Sequence, residues 1–150
     1  MKFTTTKVLL GLLLSTLSVS PSFAHEGHDA PGALPSAPHG GKVKEAMMKG
    51  GKKSASELFF EVTYEDKKLT VYPLVLNSDA KEFVAAPESE VGKIAIRVKS
   101  KSGEKKLSLK PASGAFEASF ESKGMNWFDV YVSAVHKNES KEAKIHFEFN

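Results

Sequence analysis

The sequence predicts an all-β protein, an immunoglobulin-like antiparallel β-sandwich of seven or eight strands preceded by a flexible N-terminal tail. Three observations predict it. From Gly40 onward, apolar side chains recur with a period close to two, the signature of strands with one buried face. Turn formers, among them Gly50-Gly51, Ser102-Gly103, Ser113-Gly114, Gly124 and Lys137-Asn138, punctuate that pattern at the spacing of short strands. No segment combines the length and the 3.6-residue period of a helix. A small closed barrel meets the same pattern and is the alternative topology.

The first strand is expected over residues 42–48. Residues 56–65 alternate Leu58, Phe60, Val62 and Tyr64 on one face with Glu57, Phe59, Glu61 and Thr63 on the other. The run 68–76 follows after the polar turn Glu65-Asp66-Lys67, so the two read as a hairpin. Pro73 lacks an N–H and interrupts the second of these strands, which predicts an edge position or a bulge. Residues 77–90 have little periodicity and include Pro87; they read as a connection crossing between sheets. Further strands are expected at 93–99, 105–110, 115–121, 127–136 and 142–149, with Ile94, Ile96, Val98, Phe128, Val130, Val132, Ile145, Phe147 and Phe149 among the inward residues.

Ahead of the strands lie two segments of different character. Lys2 and Lys7 form a positive n-region, Val8 to Val19 an apolar core, and Ser22-Phe23-Ala24 a small-residue cleavage site, so residues 1–24 read as a secretory signal peptide. That core is shorter than the roughly 20 residues that span a bilayer, so no membrane span is expected after processing. Residues 25–38 are a tail of Gly, Pro, Ala and Ser whose prolines keep it out of helix and ladder. The domain proper is expected at 39–150. The absence of cysteine excludes disulfides and a lipidated cysteine, and export without disulfides fits a periplasmic location.

After signal removal 19 basic residues face 18 acidic ones, and the lysines alternate with acids and apolar residues instead of forming one stripe. No nucleic-acid partner is expected. Enzymatic motifs are absent too: the sequence has no Gly-x-Ser-x-Gly elbow, no His-Glu-x-x-His helix and no glycine-rich phosphate loop. The chain is read as a binding protein and not as an enzyme.

The chemistry concentrates at the start of the mature chain. Cleavage after Ala24 leaves His25-Glu26-Gly27-His28-Asp29, where a free α-amine joins two imidazoles and two carboxylates. Amine and imidazole are partly or mostly deprotonated at neutral pH, so they act as nitrogen ligands without needing a fold. Nitrogen-rich sites favour Cu(II), with Zn(II) next, because divalent affinity peaks at copper. The candidate metal ligands are His25, His28 and His39, with Glu26 and Asp29. For the tail residues the competing reading is a solvated spacer. For His39, between Pro38 and Gly40-Gly41, it is a strand-entry turn whose glycines permit positive φ. His136 shares the face of Phe128, Val130 and Val132, His146 falls on the opposite face from Ile145 and Phe147, and both read as structural. Met47 and Met48 are adjacent and point opposite ways from a strand, so one core methionine and one exposed one are expected instead of a Cu(I) pair.

The run Pro38-His39-Gly40-Gly41-Lys42-Val43, soon after a His-containing mature N-terminus, resembles small periplasmic β-domain proteins with a Pro-His-Gly-Gly-x-Val motif, which are related to domains of heavy-metal efflux periplasmic adaptor systems. Glu57-Leu58-Phe59-Phe60-Glu61-Val62, Leu69-Thr70-Val71-Tyr72, Leu107-x-Leu109-Lys110-Pro111 and Ala115-Phe116-Glu117-Ala118 stand where that pattern has strands, so the likeness covers most of 38–149. The resemblance implies a metal-binding accessory role in resistance or efflux, with components of an efflux system as partners. Ser56 stands where the pattern carries a histidine, so no ligand is implied there. An N-terminal histidine also chelates copper in polysaccharide oxidases built as sandwiches, but those domains are larger, disulfide-bonded and rich in surface aromatics. The alternative class is an immunoglobulin-like protein-interaction module whose tail is only a spacer.

Overall fold

The computed structural model describes residues 34–48, 50–52 and 57–149; residues 1–33, where the signal peptide and most of the tail are expected, lie outside the described residues. Eleven strands form among them and no helix: β1 (Lys42–Glu45), β2 (Met47–Met48), β3 (Phe59–Glu65), β4 (Lys68–Asn77), β5 (Glu82–Ala85), β6 (Ala95–Ser100), β7 (Gly103–Leu107), β8 (Lys110–Ala112), β9 (Ala115–Ser119), β10 (Trp127–His136) and β11 (Glu139–Glu148). They make two antiparallel sheets. One runs β1-β3-β4-β9-β8 with β5 also on β4, and the other β2-β11-β10-β6-β7. The sandwich is therefore built as expected and the closed barrel is not formed, but with eleven strands in place of seven or eight.

Three hairpins set the register, and each is closed by two residues of positive φ. Asp66 and Lys67 join β3 to β4, Ser113 and Gly114 join β8 to β9, and Lys137 and Asn138 join β10 to β11. Two positive-φ residues match the right-handed twist of the flanking strands. Between the sheets, Phe60, Val62, Leu69 and Val71 pack with Phe128, Val130, Val132, Ile96, Val98 and Ile145 in one buried cluster. Each large side chain removed from water there contributes about 1.5–3 kcal/mol.

Four expectations need correction. Residues 42–48 do not form one strand: the chain pairs with β3 up to Glu45, buries Ala46, and then pairs with β11 at Met47 and Met48, so it passes from one sheet to the other. Residues 77–90 are not simply a connection, because β5 within them pairs with the second half of β4. Pro73 does not mark an edge. It lies in an interior strand, where the missing N–H falls in the gap between the pairing of β4 to β9 (68–71) and to β5 (74–77). Its carbonyl accepts from the Ala86 N–H, which closes the break.

The fourth correction positions the site. β3 is buried on both faces: Phe59, on the face away from the main core, packs with Leu74 and Phe83 and is joined by Val43, Tyr72 and Leu76. Glu61 shares that second face and is buried, although the alternation places it with the polar residues.

Candidate functional site

Glu61 sits at the centre of the turn that carries the Pro-His-Gly-Gly motif. Its cross-strand neighbours are Val43 on β1 and Tyr72 on β4. Its carboxylate is fully enclosed, with three donors on its two oxygens. Oε1 accepts from the backbone N–H of His39 at 2.9 Å and of Gly41 at 2.8 Å. Oε2 lies 2.8 Å from Nδ1 of His39. A buried carboxylate is tolerated only when its lone pairs are met in this way.

The two glycines have separate reasons. Gly40 takes φ +72°, the left-handed region. Gly41 leaves room for the strand beneath it: a Cβ there would lie 2.7 Å from the Val62 carbonyl oxygen and 2.9 Å from Glu61 Cγ. The His39 ring then lies flat on Tyr72, with centroids 3.7 Å apart and planes 6° from parallel. Its side chain is 43% exposed. Nδ1 is engaged by Glu61, and Nε2 has no hydrogen-bond partner among the described residues. A cleft of about 290 Å³ opens beside the ring, lined by His39, Tyr72, Leu74, Phe83 and the Ser113-Gly114 turn.

His39 thus occupies the strand-entry turn, with its imidazole oriented by Glu61 and Tyr72. The other candidate ligands, His25, Glu26, His28 and Asp29, lie outside the described residues. Among the described residues no group of three or more His, Asp or Glu side chains is placed to hold a metal ion. His39 by itself contributes one nitrogen.

The remaining histidines follow their parity. His136 is buried, with Nε2 3.4 Å from Glu90 Oε2 and Nδ1 3.4 Å from Lys141 Nζ. Burial pushes the imidazole below its ordinary pKa, against the pull of Glu90. His146 is half exposed and is held by Asp129, Nδ1 to Oδ1 at 2.7 Å, with Trp127 stacked on its ring. Burial works to raise the Asp129 carboxyl, but hydrogen bonds from His146 and Lys144 outweigh it and hold the group below its usual range. Met47 and Met48 are both half-buried, not one in and one out, because β2 is a two-residue strand at a sheet edge.

Sequence reasoning missed Glu61 and Tyr72. The available signal was an acid between Phe59 and Val62 in a strand whose polar face also carries a phenylalanine: such a face is covered, and a charge on a covered face needs partners. No family model, curated protein or solved structure matches the chain.

Proposed function

We propose that this protein is a periplasmic metal-binding accessory protein, for copper first and zinc next, serving metal resistance or efflux together with periplasmic components of an efflux system. The observation that supports the reading is the Glu61–His39 pair. Metal-binding histidines characteristically give their second ring nitrogen to a carboxylate, which fixes the tautomer and raises the basicity of the ligating nitrogen. With Nδ1–H donated to Glu61, the Nε2 lone pair of His39 points away from its anchor on a half-exposed ring. The stacked Tyr72 and the two backbone N–H bonds to Glu61 hold that orientation without further ordering cost.

One nitrogen does not make a copper or zinc site. The ligands completing it in this proposal are the α-amine and ring of His25 with His28, and Glu26 and Asp29 as oxygen donors, a borderline set suited to both ions. No redox or hydrolytic chemistry is assigned to the chain itself.

Titration of the exported protein with Cu²⁺ and with Zn²⁺, beside a variant lacking residues 25–29, tests the proposal. Tighter binding by the intact chain, with copper ahead of zinc, is the expected result. Equal affinities for the two proteins would remove the tail from the site and leave an interaction module as the better reading. That second reading has its own support in an apolar cleft of about 500 Å³ lined by Pro73, Ala86, Val91, Pro111 and Phe116.

A further inference from the structure

The charges of the domain are separated along its length. Between positions 93 and 110 there are seven lysine or arginine side chains and one carboxylate, Glu104; the rest of residues 25–150 carries twelve cationic and seventeen anionic side chains. The fold brings Lys105, Lys106 and Lys110 of this segment to one flank, with Lys101 in the turn between β6 and β7. β7 ends one sheet, β8 ends the other, and only Ser108 and Leu109 separate them. A cleft of about 440 Å³ at this flank is lined by Lys68, Lys105, Lys106 and Lys110, with Glu117 as its only carboxylate.

Both acids here are already engaged. Glu104 pairs with Arg97 at 2.8 Å, and Arg97 is also bound to Glu142 and stacked on Tyr131. Glu117 pairs with Lys68 at 2.9 Å. Lys99, Lys101, Lys105, Lys106 and Lys110 are exposed and form no ion pair among the described residues. Lysines on an edge strand also block the addition of a further strand. That role accounts for Lys105 and Lys106 on β7, but not for Lys99 on the inner neighbour β6 or Lys101 in the turn.

We propose that the flank formed by β7 and β8 docks the protein onto an anionic phospholipid surface, through the phosphate groups of the lipid heads. The residue types favour this occupant over a protein. Lysine is depleted in protein interfaces, whose binding energy comes from buried Trp, Tyr and Arg, and the five free cations here are all lysine with no exposed aromatic residue among them. Single-stranded nucleic acid needs aromatic stacking platforms, and the cleft lined by Lys68, Lys105, Lys106 and Lys110 has no aromatic side chain. A headgroup layer demands charge density alone, at roughly fivefold in affinity for each lysine near the surface.

The test is cosedimentation of the protein, purified after export, with vesicles of phosphatidylcholine alone or with about one third phosphatidylglycerol, at low and high salt. Binding should appear only with phosphatidylglycerol and vanish at high salt. K101Q/K105Q/K106Q/K110Q should weaken it several-hundred-fold. K44Q/K52Q/K81Q/K137Q, of equal net charge, should retain it to within a few-fold, and a thermal melt of each variant checks that both fold. Equal binding to the neutral vesicles, or equal loss in the two variants, would overturn the proposal. So would absence of binding to the phosphatidylglycerol vesicles at low salt, and retention of duplex DNA or an acidic protein on a column by such a protein would name the occupant instead.

Discussion

Nδ1 of His136 lies 3.4 Å from Nζ of Lys141, and both side chains are buried where β10 turns into β11. Two bases in contact inside a protein do not readily carry two charges, since each desolvated cation raises the cost of the other. Burial is accordingly the leading cause that lowers both, and Glu139 offsets it in part for Lys141. The loop before β6 is tied to the same place: Gly92 donates to the Val135 carbonyl, and Glu90 reaches both His136 and Lys137.

Stability should therefore fall as the solution is made acidic, in two separate windows. His136 has a folded pKa below its unfolded value near 6.5, so the unfolded chain takes up a proton first and the contribution is lost as pH drops below about 6.5. Asp129 is also depressed, and its contribution is lost only below about pH 4. Denaturant melts between pH 7.5 and 5 should show a slope of up to about 1.4 kcal/mol per pH unit. His136→Gln should be less stable at pH 7.5 but flat across that window, with the lower one intact. A wild-type slope unchanged by the substitution would assign the upper window to another group.

Gly41→Ala should destabilise the domain by about 1–3 kcal/mol, the usual cost of forcing an extra methyl into packed surroundings. The methyl meets backbone at the Val62 carbonyl and side chains at the Glu61 stem and the Thr63 methyl, so Glu61 and Thr63 both have to give way. The Nδ1 resonance of His39 should shift with it. A Gly41→Ala protein as stable as the parent, with the histidine signal unmoved, would show that the turn is looser than its hydrogen bonds indicate.

Much of the fold was legible because it rests on period and punctuation. In β10 and β11 the pattern selects Phe128, Val130, Val132, Ala134 and Ile145, all of them buried, but it does not select Asp129 and Lys141, which are buried as well. The misreadings share a cause: period two reports which face a residue occupies and not what covers that face. Glu61 alternates with the core and is nevertheless buried, because Val43, Tyr72 and the His39 turn arrive from elsewhere in the chain to cover it. Pro73 is interior because its neighbouring strand changes from β9 to β5 at that point, a fact of topology and not of local composition. β5 was lost for the same reason, since Glu82–Ala85 has a single fully inward side chain, Phe83. At the site, His39 was visible as a histidine in an unusual turn, while the carboxylate that orients it lies 22 residues away.

Processing is checked by mass. The exported protein should begin at His25, because Ser22-Phe23-Ala24 supplies the small residues that cleavage needs. A start at Glu26 would remove both the α-amine and the ring that lead the proposed donor set.

The part assigned to Glu61 in metal binding separates from its part in folding through an isosteric change. In Glu61→Gln the amide oxygen stays with the two backbone N–H groups of His39 and Gly41, because two donors outweigh one. The amide NH₂ then faces Nδ1, which has to accept, and the ring proton moves to Nε2, the atom proposed to bind metal. Nitrogen-edited NMR of the metal-free proteins should show the Nδ1–H tautomer in the parent and the Nε2–H tautomer in the variant. Copper affinity at pH 7 should drop by roughly tenfold, within the range typical of lost carboxylate support. His39→Ala should lose at least as much, and the double variant no more than His39→Ala alone, since both changes remove one nitrogen. A variant that switches tautomer yet binds copper as the parent does would show that His39 is no ligand and that Glu61 only fastens the turn.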